Sequence, residues 1–133
     1  MPLAEGFKRW FWWVPFGRVP ETPAASLEQA RQGPGPPQIL DVRTRAEWHR
    51  SRIPGAVNVP IGELRRRLPD LDLDPARPVV AICLSAHRSI PAVRLLRARG
   101  FDGAAQLRGG MLAWWRRDLP TAEGDPPDPE VPA

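Results

Sequence analysis

Cysteine occurs once in this chain, at Cys83, and lysine once, at Lys8. With one thiol there is no internal disulfide, so a secreted disulfide scaffold is excluded and a reducing compartment, the cytoplasm, is the expected location. No apolar run is long enough to span a bilayer, and the N-terminus lacks the apolar stretch and small-residue cleavage site of a signal peptide. No internal repeat is present. The basic residues, 18 of the 19 being arginine, are scattered, and no nucleic-acid motif accompanies them, which argues against nucleic acid as a partner.

What is present fits one ordinary domain. The 133 residues are 42% hydrophobic and 26% charged, enough for a single core. The net charge of +4 is uneven. Residues 121–133 hold four acidic side chains and no basic one, so the rest of the chain carries 19 basic against 11 acidic residues. Such a positive field favours capture of small anions. The boundaries expected are an aromatic-rich arm over 1–18, a domain over 19–120 and a disordered proline- and acid-rich tail over 121–133. In the arm, Trp10, Phe11, Trp12, Trp13 and Phe16 lie beside Lys8 and Arg9. Two roles suit it: packing across the domain surface, or contacting a partner protein or a membrane surface from the cytoplasmic side.

Between these ends, apolar runs alternate with helical spacing. Thr22 and Pro23 read as the N-cap and first position of a short helix that residues 33–37 stop. Strands are expected at 38–42, 57–59, 78–83 and 104–107. Helices are expected at 44–50, from Ile61 through Leu68, after Arg88 with Arg99 snorkelling from its apolar side, and after Gly110. The run at 78–83 is continuously apolar, the mark of a central strand buried on both faces. The fold class is therefore α/β, a single domain with a mainly parallel central sheet flanked by helices, in which ligands bind beyond the carboxyl ends of the strands.

Cys83 lies at such an end, and so does Asp41. Arg88 and Ser89 open the next helix, so a sulfur in the intervening loop faces backbone N–H groups and the positive end of a helix dipole, and is expected to be an activated thiolate. The alternative is a buried structural thiol.

The segment Cys83-x-x-x-x-Arg88-Ser89 resembles the active-site loop of the rhodanese family of sulfurtransferases. Three further stretches are similar to that family in order and spacing: Asp41-Val42-Arg43 with Glu47-Trp48, Ile53-Pro54-Gly55-Ala56-Val57-Asn58-Val59-Pro60, and Leu107-Arg108-Gly109-Gly110-Met111-Leu112-Ala113-Trp114. The resemblance implies a Cys83 nucleophile that carries a persulfide, an active-site loop of Leu84, Ser85, Ala86, His87, Arg88 and Ser89, and no metal or organic cofactor. It implies a small anionic sulfur donor such as thiosulfate, and a thiol or cyanide acceptor. Arg88 is expected to orient the loop and attract the donor, Asp41 and Arg43 to brace the loop, and His87 to face solvent. A docking or regulatory module and a protein-to-protein persulfide carrier are the competing readings. A phosphatase or arsenate reductase fits less well, because related phosphatases have one more residue between cysteine and arginine. Two positions depart from the family pattern: Ala86 stands where glycine is common, and Arg52 where histidine is.

Overall fold

A computed structural model describes residues 17–126. Its strands are β1 (Glu21–Thr22), β2 (Gln38–Asp41), β3 (Val57–Asn58), β4 (Val79–Ile82) and β5 (Ala104–Leu107). The helices are α1 (Ala24–Gln32), α2 (Arg45–Arg50), α3 (Ile61–Arg67, followed by a 3-10 turn at Leu68–Asp70), α4 (Ser89–Ala98) and α5 (Gly110–Arg116). The strands form one sheet in the order β1-β5-β4-β2-β3, and every pairing between them is parallel. β4 is central and buried at all four positions, which is why its sequence shows no polar alternation.

The sheet's two faces build two cores. Successive side chains of β4 alternate between them, as the period of a strand requires. Val79 and Ala81 join Leu64, Ala92, Val93 and Leu96 in the core beneath α3 and α4, whereas Val80 and Ile82 join Leu27, Met111 and Trp114 beneath α1 and α5. By the same parity Cys83, one residue past β4, falls on the α4 side.

Several local expectations change. Thr22 is not a helix cap: it pairs with Leu107 as the end of β1, and its carbonyl accepts from the Arg108 N–H at 2.9 Å. Pro23 becomes the N-cap, in extended conformation at φ −62° and ψ 151°. Arg99 does not snorkel from an apolar face. It is the exposed C-cap of α4, where its N–H reaches the carbonyls of Leu95 and Leu96, and the backbone there turns the side chain outward.

The first five residues of the expected tail, 121–125, are also held by the domain. Ala122 and Arg52 exchange both backbone hydrogen bonds at 2.9 Å, the Gly124 N–H donates to the His49 carbonyl at 2.7 Å, and Asp125 pairs with His49 at 3.0 Å. The Arg52 guanidinium lies over the Trp48 ring at 4.0 Å and donates to the Gly124 carbonyl at 2.7 Å. Residues 1–16 of the aromatic arm and 127–133 of the tail fall outside the described residues. No helix among the described residues is long and apolar enough to cross a membrane.

Candidate active site

Cys83 is placed by three elements at once. β4 delivers it to the carboxyl edge of the sheet, where the Val42 N–H donates to the preceding carbonyl of Ile82 at 2.9 Å. α5 holds the next two peptides: the Met111 N–H donates to the Cys83 carbonyl at 2.8 Å and the Leu112 N–H to the Leu84 carbonyl at 3.1 Å. The first turn of a helix has N–H groups with no partner inside the helix, and here the cysteine loop supplies their acceptors. The contact requires Gly110. A Cβ there would overlap the Cys83 carbonyl oxygen and the Leu84 peptide, and the backbone at φ +59° is in the left-handed region as well. α4 begins on the other side, at Ser89, with Arg88 as its N-cap.

Between Cys83 and Ser89 the loop folds back on the sulfur. The His87 N–H donates to Sγ at 3.1 Å, and the Ser89 hydroxyl lies 3.4 Å from it. Cys83 is 2% exposed, so these are contacts of a sulfur largely removed from water. The fold-back needs a left-handed residue, which is Ala86 at φ +67°, at a cost of about 1–2 kcal/mol relative to glycine. Leu84 and Ser85 are partly buried, and the Ser85 hydroxyl lies 2.9 Å from Nδ1 of the exposed His87 ring.

The side chain of Arg88 turns to α2. Its two terminal nitrogens donate to the two carboxylate oxygens of Glu47 at 2.6 and 2.9 Å, a fork that ties the cysteine loop to the β2–α2 connection. Glu47 is itself fixed by a capping box: the Thr44 hydroxyl accepts from the Glu47 N–H, and the Glu47 carboxylate accepts from the Thr44 N–H. Hydrogen bonds from Arg88, and then from Thr44, lower the Glu47 pKa from 4.5 to about 2 against the opposing effect of burial. Since the folded-state value is the lower one, this pair's contribution is complete above pH 4.5 and is lost as pH falls through about 2. Partial exposure of both side chains limits the contribution to about 1 kcal/mol. Glu47→Gln is therefore expected to lower stability at pH 7 by about that amount and to flatten the acid limb of the stability profile between pH 4.5 and 2, as read by urea unfolding. Parallel profiles for parent and variant would place the acid sensitivity elsewhere.

Asp41 and Arg43 stand one layer behind. They form a buried pair at 2.7 Å, 0% and 1% exposed at the side chain. Arg43 also donates to the Ser51 carbonyl at 2.6 Å, and the Asn58 amide bonds both the Asp41 and Arg43 carbonyls at 3.0 Å. The pair fixes the shape of the connection from which Glu47 reaches Arg88.

Two residues at the site were not anticipated. Gln106 on β5 accepts from the Ser89 hydroxyl at 2.6 Å, and Glu21 on β1 accepts from the Gln106 amide at 3.0 Å. The available signal for Gln106 was a polar residue within an otherwise apolar strand run; the two-residue β1 offered none for Glu21.

The comparisons with known proteins agree with this architecture. The family model described as the rhodanese-like domain matches residues 24–117. A sulfurtransferase of Allochromatium vinosum is 34% identical over 102 residues, which cover 77% of this chain and 94% of that protein. The HTH-type transcriptional regulator Rv0324 of Mycobacterium tuberculosis is 40% identical over 98 residues, 72% of this chain, so the chain spans less than half the length of that relative, 42%. A rhodanese-related protein from Thermoplasma volcanium has a similar structure, with a TM-score of 0.70 and 27% identity over 78% of this chain and 98% of that one. Matched from α1 through α5, with its single cysteine at the end of the central strand, the chain belongs to the rhodanese-like domain family.

Proposed function

We propose that this protein is a sulfurtransferase that moves a sulfane sulfur from a small anionic donor such as thiosulfate to a thiophilic acceptor through a persulfide on Cys83. The observation that carries the reading is the sulfur itself, enclosed by its loop at the carboxyl end of the central strand with the His87 N–H aimed at it from 3.1 Å. The sulfurtransferase among the relatives supports the same reading.

In the first half-reaction the Cys83 thiolate attacks the outer sulfur of thiosulfate. A sulfur–sulfur bond forms to Cys83, the donor's own sulfur–sulfur bond breaks, and sulfite leaves with the electron pair. In the second, cyanide or an acceptor thiolate attacks the outer sulfur of the persulfide, and the Cys83 thiolate departs. With no second cysteine in the chain, the acceptor comes from outside. Backbone N–H groups of the loop stabilise the negative sulfur in both steps. Arg88, forked onto Glu47, holds the loop in position, and Asp41 and Arg43 brace the connection that carries Glu47.

A second reading, a docking or regulatory module of the same fold, is favoured by the match to the mycobacterial regulator. The intact mass of the protein, after thiosulfate and removal of excess, separates the two. A reducible gain of about 32 Da in the parent and none in Cys83→Ser is the expected result. No gain from a reduced, accessible thiol would overturn the use of thiosulfate and leave a protein-borne sulfur donor or the docking module.

A further inference from the structure

We infer that Gln106 is a positioning residue for the nucleophile: held by Glu21, it takes the only hydroxyl proton of Ser89 and so turns a lone pair of the Ser89 oxygen toward Cys83. This rests on the reading of Cys83 as the nucleophile. Its geometry is a chain of contacts from surface to sulfur. The Gln106 amide donates to Glu21 Oε2 at 3.0 Å, Gln106 Oε1 accepts from Ser89 Oγ at 2.6 Å, and Ser89 Oγ lies 3.4 Å from Cys83 Sγ. Ser89, Gln106 and Cys83 are 0%, 4% and 2% exposed, so water does not replace a partner that is lost.

The directions follow from the donor inventory. A carboxylate only accepts, so the Gln106 group facing Glu21 is its NH2, and the group facing Ser89 is its carbonyl oxygen. That oxygen only accepts, so the single Ser89 proton is committed to it. Toward Cys83, Ser89 is therefore an acceptor, suited to a neutral S–H donor. Once the thiol loses its proton, an oxygen lone pair faces a negative sulfur. Relief requires the Ser89 hydroxyl to rotate toward Sγ, which leaves the buried Gln106 oxygen without a partner. The His87 N–H favours the anion on one side of the sulfur, and the Ser89–Gln106 pair favours the thiol on the other. The two contacts oppose each other at the sulfur, and the Ser89 hydroxyl proton reaches it only when Ser89 turns.

The charged groups around the sulfur are matched in pairs that a change at Gln106 leaves in place. These are Arg88 with Glu47, Arg43 with Asp41, and Arg108 with Glu21, while the His87 ring contacts Ser85. The test is the rate of Cys83 alkylation by iodoacetamide against pH in the full chain, which needs no sulfur donor and so fails or succeeds independently of the proposed transfer reaction. Gln106→Met keeps the side-chain length and removes the acceptor. It is expected to move the midpoint about one pH unit lower, tenfold in thiolate below the midpoint, because the freed Ser89 proton now bonds the anion. Placed in a Ser89→Ala background, the same substitution is expected to leave the midpoint where Ser89→Ala alone puts it. Glu21→Ala, at the exposed end of the chain of contacts, lets the Gln106 amide reverse and is expected to shift the parent in the same direction by less, which covers the case in which the buried substitution fails to fold. An unmoved or raised midpoint in Gln106→Met, or an equal shift with and without Ser89, would overturn the assignment. If Gln106→Met fails to fold, an unmoved midpoint in Glu21→Ala would do so instead.

Discussion

Gly110→Ala is expected to lower stability by about 2–5 kcal/mol and to abolish persulfide formation in whatever fraction remains folded. Two costs combine. An alanine at φ +59° adopts a left-handed backbone at about 1–2 kcal/mol. Its methyl group then overlaps the Cys83 carbonyl oxygen and the Leu84 peptide, which are backbone atoms with no rotamer to escape into, and overpacking of that kind adds about 1–3 kcal/mol. The second cost falls on the site, because the only ways to relieve it are to move α5 or the cysteine loop. Moving either one stretches the bonds from Met111 and Leu112 that hold the loop carbonyls. Gly124→Ala is the control: at φ +78° it has the same backbone demand, but open space where the methyl would go. Urea unfolding of the two variants, with persulfide formation followed by mass, separates backbone strain from loop displacement. Equal losses in both would mean that the loop accommodates the methyl group.

Arg43→Met is expected to cost about 3–5 kcal/mol, a large part of the stability of a domain this size. Asp41 is fully buried, and Arg43 is the residue that neutralises it, through Nε and Nη2 at 3.0 and 2.7 Å. Removing the guanidinium leaves a carboxylate in the interior and also strips the Ser51 carbonyl of its donor. The paired change Asp41→Asn with Arg43→Met removes both charges and is expected to recover more than half of the loss. Sulfur transfer is expected to stay impaired in the pair, since the connection that presents Glu47 to Arg88 has lost its brace. A single-variant loss below about 1 kcal/mol, by the same unfolding measurement, would show that solvent reaches Asp41.

The parallel sheet and the position of the cysteine loop were legible because their signals are local. The unbroken apolar run of β4 marks a strand buried on both faces, and Gly100 and Gly109 mark the end of one helix and the approach to the next. The Ala86 departure was legible too, and the backbone there takes the left-handed conformation that glycine would favour. What escaped is nonlocal. β1 is two residues long, too short for any period to show, and it exists because the edge of β5 offers it partners. Glu47 was visible as part of a shared pattern, but its role as the anchor of Arg88 depends on α2 standing beside the loop, 41 residues away in sequence. Arg52 looked like a departure from the family pattern. In the fold its ring contact with Trp48 and its bond to Gly124 hold the chain beyond α5.

The placement of β1 beside β5 also fixes an order of events during synthesis. The bond from Gln106 to Glu21 closes 85 residues of chain, and the carbonyl of Cys83 finds its donor only at Met111. Long-range closures of this kind come late, after the entropy of joining distant segments has been met. A chain emerging N-terminus first therefore presents its cysteine well before β5 and α5 arrive to enclose it. During that interval the thiol is open to any oxidant in its surroundings, and an oxidised sulfur would then be built into an otherwise finished fold.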